Sequence, residues 1–172
     1  MLALIGSHAL ILRGYDRTPK DTDIIGTFEE INAFFRTFKD IIVTQYPLSA
    51  NKIYVKTKLG AIWEAEIAWE GSTAAEFLQI VAADPATKEP HAGSDLYVPS
   101  IGLLYALKMS HRYLKNSPHF LKTMRDIQEM RNNGAIIPLQ YLDWYKRREK
   151  ETYHYQHPNL NRSKKDFFTM DA

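Results

Sequence analysis

Cysteine is absent from the chain. Its absence removes disulfides, thiolate-held zinc and any cysteine nucleophile, and it fits a reducing, cytoplasmic setting. Charge of one sign is also scarce in net terms. Against 22 Lys and Arg stand 20 Asp and Glu, which leaves +2 with the histidines neutral. The molecule as a whole is no polycation, so any affinity for an anionic polymer must come from local patches. No apolar run approaches the roughly twenty residues that cross a bilayer, and no membrane partner is expected. The apolar stretch from Met1 to Leu12 lacks a basic leader and reads as core, not as a signal peptide. Internal repeats and low-complexity segments are missing too.

What remains is ample for folding. The 172 residues are 45% hydrophobic, enough for one domain or for a domain with a helical appendage. A 12% aromatic share, with ten tyrosines, argues against disorder.

The most informative stretch runs from Gly6 to Ile25. An apolar tetrad, Leu2 to Ile5, reads as a short strand. It is followed by the small-residue turn Gly6-Ser7 and a helix start over Ser7 to Leu12. Backbone N–H groups at such a start suit phosphate, glycine lets a ligand come close, and Ser7 adds a hydroxyl or serves as a plain N-cap. His8, directly after Ser7, is a further candidate for touching phosphate or substrate. Asp21 and Asp23 then sit one residue apart at the start of an apolar pair, Ile24-Ile25. On a strand the period of two puts both carboxylates on one face. Adjacent anions repel, and burial raises the cost unless something positive lies between them. A hard divalent cation is the usual solution. Arg17 and Lys20 flank the pair, either to neutralise it, to hold phosphate, or as a solvated surface pair.

Further along, Thr27 and Glu30 form a capping-box pattern before an apolar stripe of Ile31, Phe34, Phe35 and Phe38. Ile41 to Tyr46, Lys52 to Lys58 and Ala61 to Trp69 read as strands, the last two as a hairpin beside the Asp-x-Asp strand. In the third of these, Glu64 and Glu66 share one face and Trp63, Ala65, Ile67 and Trp69 the other. Thr73 to Ala83 is expected to be a helix capped by Thr73. The polar, proline-containing stretch Asp84 to Asp95 marks the boundary between an α/β part and a helical part. Helices are expected over Pro99 to Lys115, His119 to Asn132 and Pro138 to Glu151. Lys108, Arg112 and Lys115 line one stripe, a run of positive charge that calls for something anionic. His111, His119 and Asp126 do not make a metal set, because the histidines fall on different helices. The tail from Tyr153 interleaves aromatics and histidines with Arg162, Lys164 and Lys165. It suits single-stranded nucleic acid or a tRNA end, or folds back on Phe167-Phe168.

Gly6, Ser7, Ala9, Leu10, Gly14, Arg17, Lys20, Asp21, Asp23 and Ile24 together resemble the nucleotidyltransferase superfamily, in particular its minimal and AbiEii-like branch. One departure is Pro19, where the family usually carries threonine, with Thr18 one place earlier. A second, more diffuse likeness covers LLYALKMSHR and MRDIQEMR, giving Lys108, Arg112, Asp126 and Ile127. The resemblance implies a small mixed β-sheet with flanking helices followed by a C-terminal helical bundle. It places a catalytic α/β domain at 1–95 and a helical region with a basic, aromatic tail at 96–172. It implies a third metal carboxylate from the 61–69 strand: Glu66 first, Glu64 as fallback, where the family more often has Asp. Asp21, Asp23 and Glu66 would hold Mg²⁺ (or Mn²⁺). Gly6, Ser7, Arg17, Lys20, Lys108 and Arg112 would meet the phosphates of a nucleoside triphosphate. The implied activity is transfer of a nucleoside monophosphate to a hydroxyl of RNA, tRNA, protein or a small molecule. A non-catalytic nucleotide- or RNA-binding protein on the same fold and a metal-dependent phosphoesterase are the alternatives.

Overall fold

The structure, a computed structural model, describes residues 1–90, 94–114 and 117–153. Lys115 and the tail beyond Tyr153 lie outside these residues. Two compact units are present, Met1–Ser100 and Ile101–Ala172.

The first unit is a mixed α/β structure. In chain order it contains β1 (Leu2–Ile5), α1 (Gly6–Leu12), β2 (Thr22–Gly26), α2 (Phe28–Arg36), β3 (Ile42–Ser49), β4 (Lys52–Thr57), β5 (Ile62–Ile67), α3 (Thr73–Ala83) and β6 (Leu96–Tyr97). The described strands form one sheet in the order β3-β4-β5-β2-β1-β6. The β1–β2, β3–β4 and β4–β5 pairs are antiparallel, while β2–β5 and β1–β6 are parallel. Parallel pairing of β2 with β5 is possible because α2 and a whole hairpin separate them along the chain, giving room for the crossover.

At the centre of the sheet, Ile24, Ile25 and Ala65 are fully buried. Each isoleucine so placed contributes roughly 1.5–3 kcal/mol relative to exposure. The capping box forms: Thr27 accepts from the Glu30 backbone N–H at 3.2 Å, and the Glu30 carboxylate accepts from the Thr27 N–H at 3.0 Å. Of the α2 stripe, Ile31 and Phe35 are buried. Phe34, Phe35 and Phe38 gather on Trp63 with ring centroids 5.2, 6.5 and 6.0 Å away. The apolar face of β5 is therefore the one that α2 covers, and the face with Glu64 and Glu66 is its opposite.

Three details depart from the sequence reading. Helix α3 is capped by Ser72, whose hydroxyl accepts from Ala75 N–H at 3.2 Å, while Thr73 is buried. Strand β3 continues through Pro47 to Ser49, which an edge strand tolerates because the missing N–H faces no neighbour. Strand β6 was not expected. Two residues are too few to show a period, and its pairing with β1 is set by the far end of the unit.

In the second unit, α4 (Ile101–Ser110), α5 (Phe120–Asn132) and α6 (Leu142–Tyr153) bury Leu103, Leu104, Leu107, Ile127, Met130, Trp144 and Tyr145. Helix α4 ends at Ser110, earlier than its sequence pattern suggests, and the Thr152 hydroxyl donates to the Ser110 carbonyl at 2.9 Å. No helix among the described residues is long and apolar enough to cross a membrane.

Candidate functional site

Register builds the site. Across β1–β2, Ile5 pairs with Asp23; across β2–β5, Asp23 pairs with Glu64. Directly paired residues project from the same side of a sheet. Asp21 lies one residue before β2 and two from Asp23, which keeps it on that side as well. One oxygen from each of Asp21, Asp23 and Glu64 comes within 4.8 Å of the others. All three residues are half-buried, so their charges are neither fully hydrated nor sealed from a ligand.

Glu66, the expected third carboxylate, is not part of this group, whereas Glu64, the fallback, is. Glu66 pairs with Ile25 on one side and Lys52 on the other, two residues further along the strand, and is 7% exposed. Both glutamates share the correct face, so the period of two cannot choose between them. The parallel register chooses, and it sets Glu64 directly beside Asp23.

Gly6 closes the other side. Its φ of +66° lies in the left-handed region, and a Cβ there would collide with Asp23 Oδ2. The backbone thus lies against the carboxylate in a space only glycine leaves open. Ser7 is not the N-cap of α1. Ile5 holds that position, and no side chain caps the helix. Ser7 is instead 3% exposed, and its hydroxyl has no hydrogen-bond partner among the described residues. A buried polar group left unsatisfied costs roughly 1–3 kcal/mol, and a ligand oxygen would relieve it. Helix α1 is about two turns long, so little macrodipole is available, and the Ser7 hydroxyl is the stronger feature.

His8 has a more definite place than its sequence context indicates. Its Nδ1 lies 3.1 Å from the Asp21 carbonyl oxygen and 3.1 Å from Thr22 Oγ1. A carbonyl only accepts, so the proton sits on Nδ1 and the ring ties α1 to the backbone of Asp21. The contact joins residues 13 apart, which no local pattern reveals.

The expected cations are differently disposed. Lys20 is exposed and no partner is seen for it among the described residues. Arg17 donates to the Asp16 carbonyl at 2.7 Å and lies over the Tyr15 ring at 5.6 Å. In the helical unit, Lys108 pairs at 3.0 Å with Asp126, whose side chain is fully buried. Arg112 is buried too, pairing with Glu149 at 2.5 Å and donating to the hydroxyls of Tyr145 and Tyr113. The positive stripe therefore does have acidic partners. They come from α5 and α6, and the charges of Lys108 and Arg112 are spent on internal pairs.

The sequence family described as "Domain of unknown function (DUF7275)" matches residues 103–172. No curated protein matches the chain. Among solved structures, the chain is similar to an antigenic nucleotidyltransferase-like protein from Paracoccidioides brasiliensis, at 15% identity and a TM-score of 0.46, over 79% of this chain and 69% of that one.

Proposed function

We propose that the chain is a metal-dependent nucleotidyltransferase whose chemistry lies in residues 1–95. The observation that carries this reading is the convergence of Asp21, Asp23 and Glu64 beside Gly6 and Ser7. Three carboxylate oxygens at this spacing suit Mg²⁺ or Mn²⁺, which prefer hard oxygen donors, and the orphaned Ser7 hydroxyl marks where an anionic oxygen would sit. Bound there, divalent cations would neutralise phosphate charge and make the attacking hydroxyl more acidic.

The chain's own residues do the positioning. Asp21, Asp23 and Glu64 would hold the cations on one face of the sheet. Gly6 keeps the phosphates close to the backbone, and Ser7 donates a hydrogen bond to a phosphate oxygen. Lys20, exposed beside Asp21, supplies a mobile positive charge to the outgoing phosphates. His8 fixes the backbone of Asp21. Rate enhancement then comes mostly from orientation and charge neutralisation.

The test uses labelled nucleoside triphosphates, Mg²⁺ and a panel of acceptors that includes total RNA and the protein itself. Label should move to one acceptor in the wild type and not in Asp21→Asn. Equal activity in that variant overturns the assignment. Release of nucleoside monophosphate into water alone identifies a hydrolase.

A further inference from the structure

We propose that the sheet face bearing Asp23 and Glu64 continues into a platform for single-stranded nucleic acid, built from Tyr46, Tyr54, Lys52 and Lys56. The platform lies in one ladder row with the carboxylates. Tyr46 pairs with Tyr54 across β3–β4, Tyr54 with Glu64 across β4–β5, and Glu64 with Asp23 across β5–β2. Paired residues share a side, so both tyrosines project from the carboxylate face. Strands are spaced about 4.8 Å apart, which puts the backbone of Tyr46 about 10 Å from that of Glu64.

The two rings stack, with centroids 4.9 Å apart and planes 28° from parallel. Stacking covers one face of each ring and leaves the other. Tyr46 is 44% exposed at the edge of the sheet. Lys52 and Lys56 flank Tyr54 at two residues on either side and so lie on the same face. Neither lysine side chain makes an ion pair or hydrogen bond among the described residues, although Lys52 stands opposite Glu66 in the ladder. The alternate residues of β4, Ile53, Val55 and Thr57, are buried. Lys52, Tyr54 and Lys56 thus form the outward face of β4, which its other side anchors, and Tyr46 lies beside them on the edge strand β3.

Stacked rings between two ammonium groups match the alternation of base and phosphate along a single strand. A duplex conceals its base faces and offers the rings nothing. An exposed aromatic patch would also suit a protein, but the two lysines, Lys56 exposed among them, favour a polyanion. A strand lying across Tyr46 and Tyr54 would bring its end towards Asp23 and Glu64, making it the acceptor. That acceptor role rests on the function proposed above, whereas binding to the platform does not.

The test is fluorescence anisotropy of the full chain with a short, fluorescein-labelled single-stranded RNA of mixed sequence, in the presence of a chelator. Tyr46→Ala and Tyr54→Ala should each weaken binding by about 5- to 100-fold. Tyr54→Phe, which keeps the ring and the fold, should retain most of it. Lys52→Ala with Lys56→Ala should flatten the salt dependence by roughly 0.7 in slope per lysine. Three results overturn the inference: no RNA binding, binding indifferent to Tyr46→Ala, or duplex RNA competing as well as single strands. A change in self-association on Tyr46→Ala without RNA binding would mark a protein interface and overturn it equally. Should the tyrosine effects hold while no nucleotide is transferred, the platform stands and the enzymatic reading falls. Should transfer occur with RNA binding indifferent to the tyrosines, the reverse follows.

Discussion

Asparagine in place of Asp21 keeps the side-chain shape and removes its charge, so its effect isolates ligation from packing. At a metal concentration near one hundred times its Kd, binding adds roughly 2.7 kcal/mol to stability. A thermal melt with and without Mn²⁺ should show that increment in the wild type and lose it in Asp21→Asn and Glu64→Gln. Glu66→Gln should keep the metal-induced rise in Tm, even if the buried side chain makes the baseline stability lower. Equal loss in Glu64→Gln and Glu66→Gln would return Glu66 to the site. Gly6→Ala is the second residue-scale case. It forces a left-handed φ on alanine, at roughly 1–3 kcal/mol, and pushes a methyl group into Asp23. Urea denaturation should reveal the stability loss, and the metal-induced rise in Tm should shrink with it.

Among the elements, the helices of the second unit are held by a buried polar network that makes their stability pH-dependent. Burial pushes the Tyr145 hydroxyl well above its ordinary value of 10.0, and its hydrogen bond to Glu149 at 2.6 Å adds to the effect. The folded state therefore binds this proton more tightly than the unfolded chain does. Its contribution is fully present below about pH 10 and is lost as pH rises from there towards the folded value. Tyrosinate absorbance should show a tyrosine more resistant than Tyr105 and Tyr113, whose hydroxyls burial also pushes up, and it should ionise only as helical circular dichroism collapses. In Tyr145→Phe that resistant group should be gone. A Tyr145 that titrates with the exposed tyrosines would contradict the burial. The same network supplies the anionic partners that the positive charge of Lys108 and Arg112 calls for. The spacing of four between Lys108 and Arg112 is local. Asp126 and Glu149 arrive from other helices, 18 and 37 residues away along the chain, beyond the reach of any helical period.

Across the whole molecule, the candidate site belongs entirely to Met1–Ser100, and the ion-paired helices form a unit of their own. Hydrogen exchange measured with and without Mn²⁺ should therefore show added protection in β1, α1, β2 and β5. The amides of α4, α5 and α6 should exchange as before. Protection spread evenly over both units would mean that the metal acts elsewhere or through global stability alone.

Much of this architecture is written in short-range patterns. The alternation in Asp21-Thr22-Asp23 puts two carboxylates on one side, the capping box starts α2 at Thr27, and the IWEAEI segment separates an acidic face from an apolar one. Each is a consequence of backbone geometry within a few residues, so the chain alone settles it. Which glutamate joins the aspartates, which carboxylates neutralise Lys108 and Arg112, and where His8 finds its acceptor depend on segments distant in sequence. Their answers come from strand register and helix packing. Those are decided by burial of the whole core, because a shift by one pairing step leaves every local preference intact while moving each side chain to a new neighbour.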